Sequence, residues 1–237
     1  MKPAESKRLI AKAVAAMPEV KQALTKGKVV IALGGTNSLV AEEIVGVKVA
    51  MHSYMAGYIG NGQLKVTPKE GRMDPFVLVD GKPVNMSLDA ALSDFDAGDV
   101  FIKGANAVDP QSRAGIIVAD GMSGTIGKAL PYLMARGSHL VVPVGLEKLV
   151  PDVVEAAKVC GQRTFKYGPT RGFGLVPLVG AKVVTEIQAM QILFGIKAIH
   201  VASGGIDGGE GSVVLVLEGE DSGVAQAVEL VERLKAS

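Results

Sequence analysis

Cysteine is almost missing from this chain: Cys160 is the only one in 237 residues. No intramolecular disulfide can form, which suits a reducing compartment. Cys160 closes a helix-like stretch and reads as a buried structural thiol. Tryptophan is absent and aromatic residues make up only 4%. The core must therefore be built from Val, Ile, Leu, Ala and Met, which suits a parallel sheet buried on both faces. An excess of one charge is also lacking. Lys and Arg number 25 against 24 Asp and Glu, a net charge of +1. Such a balance provides no general field for nucleic acid or an anionic membrane. No uninterrupted apolar run reaches the roughly 18 residues of a membrane span. The stretch Met1 to Arg8 is polar and has no signal core, so a cytoplasmic protein is expected. His52, His139 and His200 are scattered without metal-ligand spacing. Neither a metal nor a cofactor is expected.

What is present is 48% apolar residues and 30 glycines. The length allows one large domain, or one with a small companion. Residues 5–25 have helical spacing, with Pro18 as a kink or break. Residues 28–33 are a short apolar run, a buried strand. Gly34 to Ser38 interrupt the pattern, and a helix is expected over 39–46. Residues 47–98 hold several short strand-like pieces, with Asp80-Gly81 as a hairpin turn. Buried strands follow at 99–103, 115–119 and 139–144. Helices are expected at 126–137 and from Leu149 to Cys160. Strands alternating with helices predict βαβ units on a Rossmann-like, mostly parallel α/β sheet with helices on both faces. From residue 172 the texture changes to strand 181–184, helix 185–195 capped by Thr185, strands 198–203 and 212–219, and helix 222–236. The expected division is a ligand-binding domain over 1–171 and a small α+β subdomain over 172–237.

Ligands of open parallel sheets bind beyond the carboxyl ends of the strands. Three glycine-rich polar loops stand at such ends. In the first, Gly34 and Gly35 let backbone N–H groups approach an anion, and Thr36, Asn37 and Ser38 add hydrogen bonds at a helix start. An ordinary strand-to-helix turn has the same composition. In the second, Lys103 follows the apolar run Val100-Phe101-Ile102, with Gly104 and Asn106 beside it. A lysine there can neutralise a phosphate or carboxylate, polarise a carbonyl, or act as a base if burial lowers its pKa. It can also simply reach solvent. In the third, Asp120, Gly121, Ser123, Gly124 and Thr125 precede another helix. Asp120 would orient a hydroxyl or amine there, or make a turn. Gly121 to Lys128 is not a phosphate loop, because its spacing is one residue too long and Ala129 replaces the metal-binding hydroxyl. Residues 204–211 read as a hairpin loop whose Asp207 and Glu210 could cover a neighbouring site. Glu186 is read as a favourable charge at a helix start.

Two stretches carry a family resemblance. VVIALGGTNSLVAEEI resembles the opening strand-turn-helix of ribose-5-phosphate isomerase A. DVFIKGANAVDP is similar to that enzyme's Asp-Val-x-Ile-Asp-Gly-Ala-Asp-Glu-Val-Asp segment, and the order of elements continues through Glu147-Lys148. The wider superfamily includes glucosamine-6-phosphate deaminases, CoA transferases and methylthioribose-1-phosphate isomerase. The resemblance implies a phosphosugar or CoA ester at these loops, and a homodimer or larger homo-oligomer. The isomerase's motif aspartates fall on Lys103 and Asn106, and its catalytic glutamate near Gly127. The isomerase's own proton-transfer base is therefore missing from these positions. Two readings follow: an isomerase- or transferase-like enzyme acting on a small anionic metabolite, or a non-catalytic binding or sensor protein with the same pocket.

Overall fold

A computed structural model describes residues 1–168 and 172–235. Residue 171 and the end of the expected last helix lie outside them. The described chain opens with two helices, α1 (Pro3–Ala16) and α2 (Pro18–Thr25). Met17 separates them, because each helix starts on a proline that has no N–H to lose at that position. Then come β1 (Lys28–Ile31), α3 (Gly35–Val45), the hairpin β2 (Gly57–Gly60) and β3 (Gln63–Val66), and the hairpin β4 (Phe76–Val79) and β5 (Lys82–Val84). Next are α4 (Leu88–Ser93), β6 (Val100–Ile102), β7 (Ala107–Val108), β8 (Ala114–Val118), α5 (Gly124–Arg136), β9 (His139–Pro143) and α6 (Val153–Lys158). The last elements are β10 (Gly174–Pro177), β11 (Lys182–Val184), α7 (Glu186–Phe194), β12 (Lys197–Gly204), β13 (Ser212–Glu218) and α8 (Asp221–Lys235).

The fold is mixed α/β around a largely parallel central sheet. Its strand order is β11-β9-β6-β1-β4-β5. The first four of these run parallel, and β4 and β5 are antiparallel. The β4–β5 turn uses Asp80 and Gly81, both at positive φ (47° and 75°), as a two-residue hairpin requires. Alternate side chains of each strand point to opposite faces. Val29, Ile31, Val100 and Ile102 pack with α1, α3, α7 and α8. Val30, Ala32, Phe101, Leu140 and Val142 pack with α4 and α5. Burying one such side chain contributes roughly 2 kcal/mol, so the two apolar layers hold the sheet between them.

Three expectations change. The break after β1 is shorter than the glycine pattern suggests, since Gly34 is the N-cap and residues 35–38 already form the first turn of α3. The stretch after Leu149 is helical only over Val153–Lys158, where Asp152 caps the start. The strand at 114–118 does not join the parallel sheet. It pairs antiparallel with β7 and β10 in a separate three-stranded sheet. An apolar run can be recognised as a strand without its pairing partner being readable from it. Residues on both sides of 171 share sheets: β10 pairs with β8, and β11 forms the edge beside β9. Cys160 is half-buried and forms no disulfide. No helix among the described residues is long and apolar enough to cross a membrane.

Candidate functional site

The chains leaving β1 and β6 part to opposite faces of the sheet. The first enters α3, whose Val40 and Ala41 join one core layer. The second leads on to α5, whose Ile126, Ala129 and Leu133 join the other. In open α/β sheets, ligands bind at the carboxyl ends of neighbouring parallel strands whose connections part in this way. Asn37 lies at these strand ends, fully buried. Its carboxamide nitrogen donates to Ala32 O at 2.7 Å and Ile102 O at 3.1 Å, tying the two strand ends together. Its Oδ1 is buried without a partner, as is the Thr36 hydroxyl next to it. Gly104 faces Asn37 closely enough that a Cβ added there would lie 3.5 Å from that Oδ1. Gly34 N–H is already used, donating to Tyr54 O at 2.8 Å. No side chain caps α3.

Lys103 reaches from the end of β6 to the chain leaving β1. Its Nζ donates to Leu33 O at 3.4 Å and Gly104 O at 3.3 Å. Part of its surface remains open. Burial of the ammonium, reinforced by the charge of Lys148, lowers its pKa to about 8. Lys148 enters from the short 3₁₀ turn at 146–148 that follows β9. It donates to Ala105 O at 3.0 Å. Burial lowers its pKa as well and Lys7 adds to this, while Glu147 and Glu186 oppose it. Neither Lys103 nor Lys148 forms an ion pair with a carboxylate among the described residues.

Two carboxylates complete the cluster. Glu186 begins α7, directly after β11, and its side chain is fully buried. Oε2 accepts from Leu146 N–H at 2.9 Å, and Oε1 has no partner. Burial pushes its carboxyl pKa up, and the charge of Glu147 adds to the rise. Ser6 of α1 lies close enough to oppose it, although its hydroxyl has no well-formed hydrogen bond. Glu147 folds back over Gly145, where an added Cβ would meet Oε2 at 1.8 Å, so a side chain at 145 would evict the carboxylate. Its Oε2 is likewise buried without a partner. The loop of the β12–β13 hairpin seats nearby, with Gly211 against Pro3 and the Cβ of Glu147. Glu210 on that loop accepts from Gly208 N–H at 3.4 Å rather than reaching across.

The structure thus brings Gly34, Gly35, Thr36, Asn37, Lys103 and Gly104 together. Asn106 stands next to them but is engaged in the small sheet, its Oδ1 accepting from Ile117 N–H at 3.0 Å. The loop holding Asp120, Gly121, Ser123, Gly124 and Thr125 has other neighbours. Asp120 accepts from Met122 and Gly124 N–H within its own loop, and its nearby charges are Lys128 and Lys69. Ser123 borders an apolar hollow of about 380 Å³ shared with Ile126, Leu130, Met134 and Val176. A larger groove of about 480 Å³ lies elsewhere, where Arg8, Lys12, Leu39, Glu43 and Arg233 meet.

Sequence reasoning missed Glu147, Lys148 and Glu186 as members of the site. The signal was available: each follows an apolar strand, β9 or β11, at the same edge as Gly34 and Lys103. Among the described residues no three His, Cys, Asp or Glu side chains come together as metal ligands. No protein-family model, curated protein or solved structure matches this chain.

Proposed function

We propose that this protein binds a small anionic metabolite, of phosphosugar or CoA-ester type, at the carboxyl ends of β1 and β6. The observation carrying this reading is Lys103, largely buried with Lys148 as its neighbouring charge and in no ion pair with a carboxylate among the described residues. Burying an unpaired cation is costly, and a bound anion would supply the missing partner. The first turn of α3, which no side chain caps, adds N–H donors and the positive end of a helix dipole at the same place. On this reading the parallel strands form a Rossmann-like sheet of the ribose-5-phosphate isomerase A-like kind. The carboxylates absent from that enzyme's motif positions are replaced by Glu147 and Glu186, entering from other strand ends.

Thermal unfolding in the presence of inorganic phosphate, ribose 5-phosphate and acetyl-CoA tests the proposal. A ligand at 100 times its dissociation constant should add about 2.7 kcal/mol of stability. The ligand-induced shift should vanish in Lys103→Ala and shrink in Lys148→Ala. A flat response to all three anions, or an undiminished response in Lys103→Ala, would reject it.

A further inference from the structure

The β12–β13 hairpin is a sheet of two strands that is apolar on both faces. On its inner face Ala198, Leu215 and Leu217 join the core layer that holds α1, α7 and α8. On its outer face Ile199, Val201, Val214 and Val216 are between 36% and 53% exposed. A strand pair with one face in water normally alternates apolar with polar residues. Here β-branched aliphatic side chains occupy the phase that should be polar. They are contiguous, because Ile199 stands opposite Val216 and the register shift around Val201 brings Ala202 opposite Val214. One end of this strip is closed by charge. Lys197 stands opposite Glu218, and Nζ lies 2.9 Å from Oε2. A contiguous exposed apolar strip with a charged rim marks a contact surface.

We propose that this face binds the same face of a second copy of the chain, in a two-fold dimer whose axis runs along the hairpin. Such an axis lays β12 of one copy over β13 of the other at the same height. Each outward residue then meets, in the other copy, the residue it already pairs with across the strands. Ile199 meets the partner's Val216, and Lys197 meets the partner's Glu218. The two ion pairs become a ring of four alternating charges. Sheet twist rotates packed sheets by about 30°, an offset that the long Lys197 and Glu218 side chains span. The face is thus complementary to itself in shape class and in charge, as an isologous contact requires. Carrying one cation and one anion, it has no net field to recruit a polyanion or an anionic bilayer.

The strand spacing and rise give this face an area of a few hundred Å² per copy. A standard interface takes about 800 Å² from each partner. The dimer is therefore a dissociable one, whose population follows protein concentration. Its formation requires nothing of the anion site.

Sedimentation velocity of the full chain over a dilution series tests the proposal. Wild type should sediment as a dimer when concentrated and dissociate on dilution. Val216→Lys puts an unpaired charge into the centre of the face and should weaken self-association by roughly a hundredfold. Two rim variants test the register without touching the apolar strip. Lys197→Glu makes both rim charges negative, and Glu218→Lys makes both positive. Each should self-associate more weakly than wild type, and an equimolar mixture of the two should recover the dimer. Mixing leaves the repulsion within each hairpin unchanged, so the recovery reads contact between copies and not hairpin stability. Wild type that stays monomeric at every concentration overturns the dimer, also where that monomer binds phosphatidylcholine vesicles instead. A dimer that survives Val216→Lys, or rim variants that gain nothing on mixing, overturns it as well.

Discussion

The two ends of β6 treat charge in opposite ways. Asp99 precedes the strand and is nearly fully buried. Its carboxylate accepts from Lys28 N–H and Asp96 N–H, both at 2.7 Å, with Lys28 Nζ 3.7 Å away. Lys103 follows the strand and has two long contacts to carbonyl oxygens and no ion pair with a carboxylate among the described residues. The first charge is satisfied by the fold and fastens the amino ends of β1 and β6. On the proposed reading the second is satisfied by a bound anion. A buried charge by itself does not mark a site, but one left without its partner points to a ligand.

If this contrast is right, substitutions at the two ends should change stability with opposite signs. Urea unfolding at fixed pH measures each. The largest effect is expected for Asp99→Ala, which orphans two backbone donors and should cost about 3 kcal/mol. Asn37→Ala removes the donor shared by Ala32 O and Ile102 O and should cost about 2 kcal/mol. Lys103→Met should instead stabilise the unliganded protein by about 2 kcal/mol at pH 7.

The pH dependence of that gain follows from the lowered pKa. In the unfolded chain Lys103 keeps its proton up to about 10.4, while in the fold it releases it near 8. Between these values the unfolded state binds more protons, so wild type gains stability as pH rises. The advantage of Lys103→Met is full below pH 8 and fades toward about pH 10.4. Equal loss of stability at all pH values would mean that the lysine stem is needed for packing, and the contrast between the two ends would break.

The smallest effect is expected for Glu186→Gln, a gain of about 1 kcal/mol at neutral pH. The Glu186 carboxyl pKa is raised in the fold, so the native state holds its proton more tightly than the unfolded chain. The cost of the buried carboxylate therefore appears as pH rises from the unfolded value through the folded one. In acid the advantage of Glu186→Gln should disappear. An advantage that persists at low pH would show that shape, and not charge, sets the effect.

Much of the site could be read from the sequence because strand and anion loop are contiguous there. Val29 to Ile31 running into Gly34-Gly35-Thr36-Asn37, and Val100 to Ile102 running into Lys103-Gly104, place polar groups at strand ends by local pattern alone. The 114–118 strand followed the same local rule and ended in a different sheet, with the 120–125 loop beside Lys69 and Lys128. Glu186 shows the opposite case. Next to Thr185 it reads as a helix-start charge, yet burial and the Leu146 amide make it part of the cluster.

The sequence by itself determined the α/β class, most strand and helix positions but not β7 or β10, and the placement of Lys103 at a strand end. These depend on periodicity and on residues adjacent in the chain. Only the tertiary structure decided which strands pair, which loops meet, that Lys148 lies beside Lys103, and that Glu147 and Glu186 lie beside Lys148. Those outcomes depend on contacts between residues tens of positions apart, where burial and neighbouring charge, rather than residue type, set what each side chain can do.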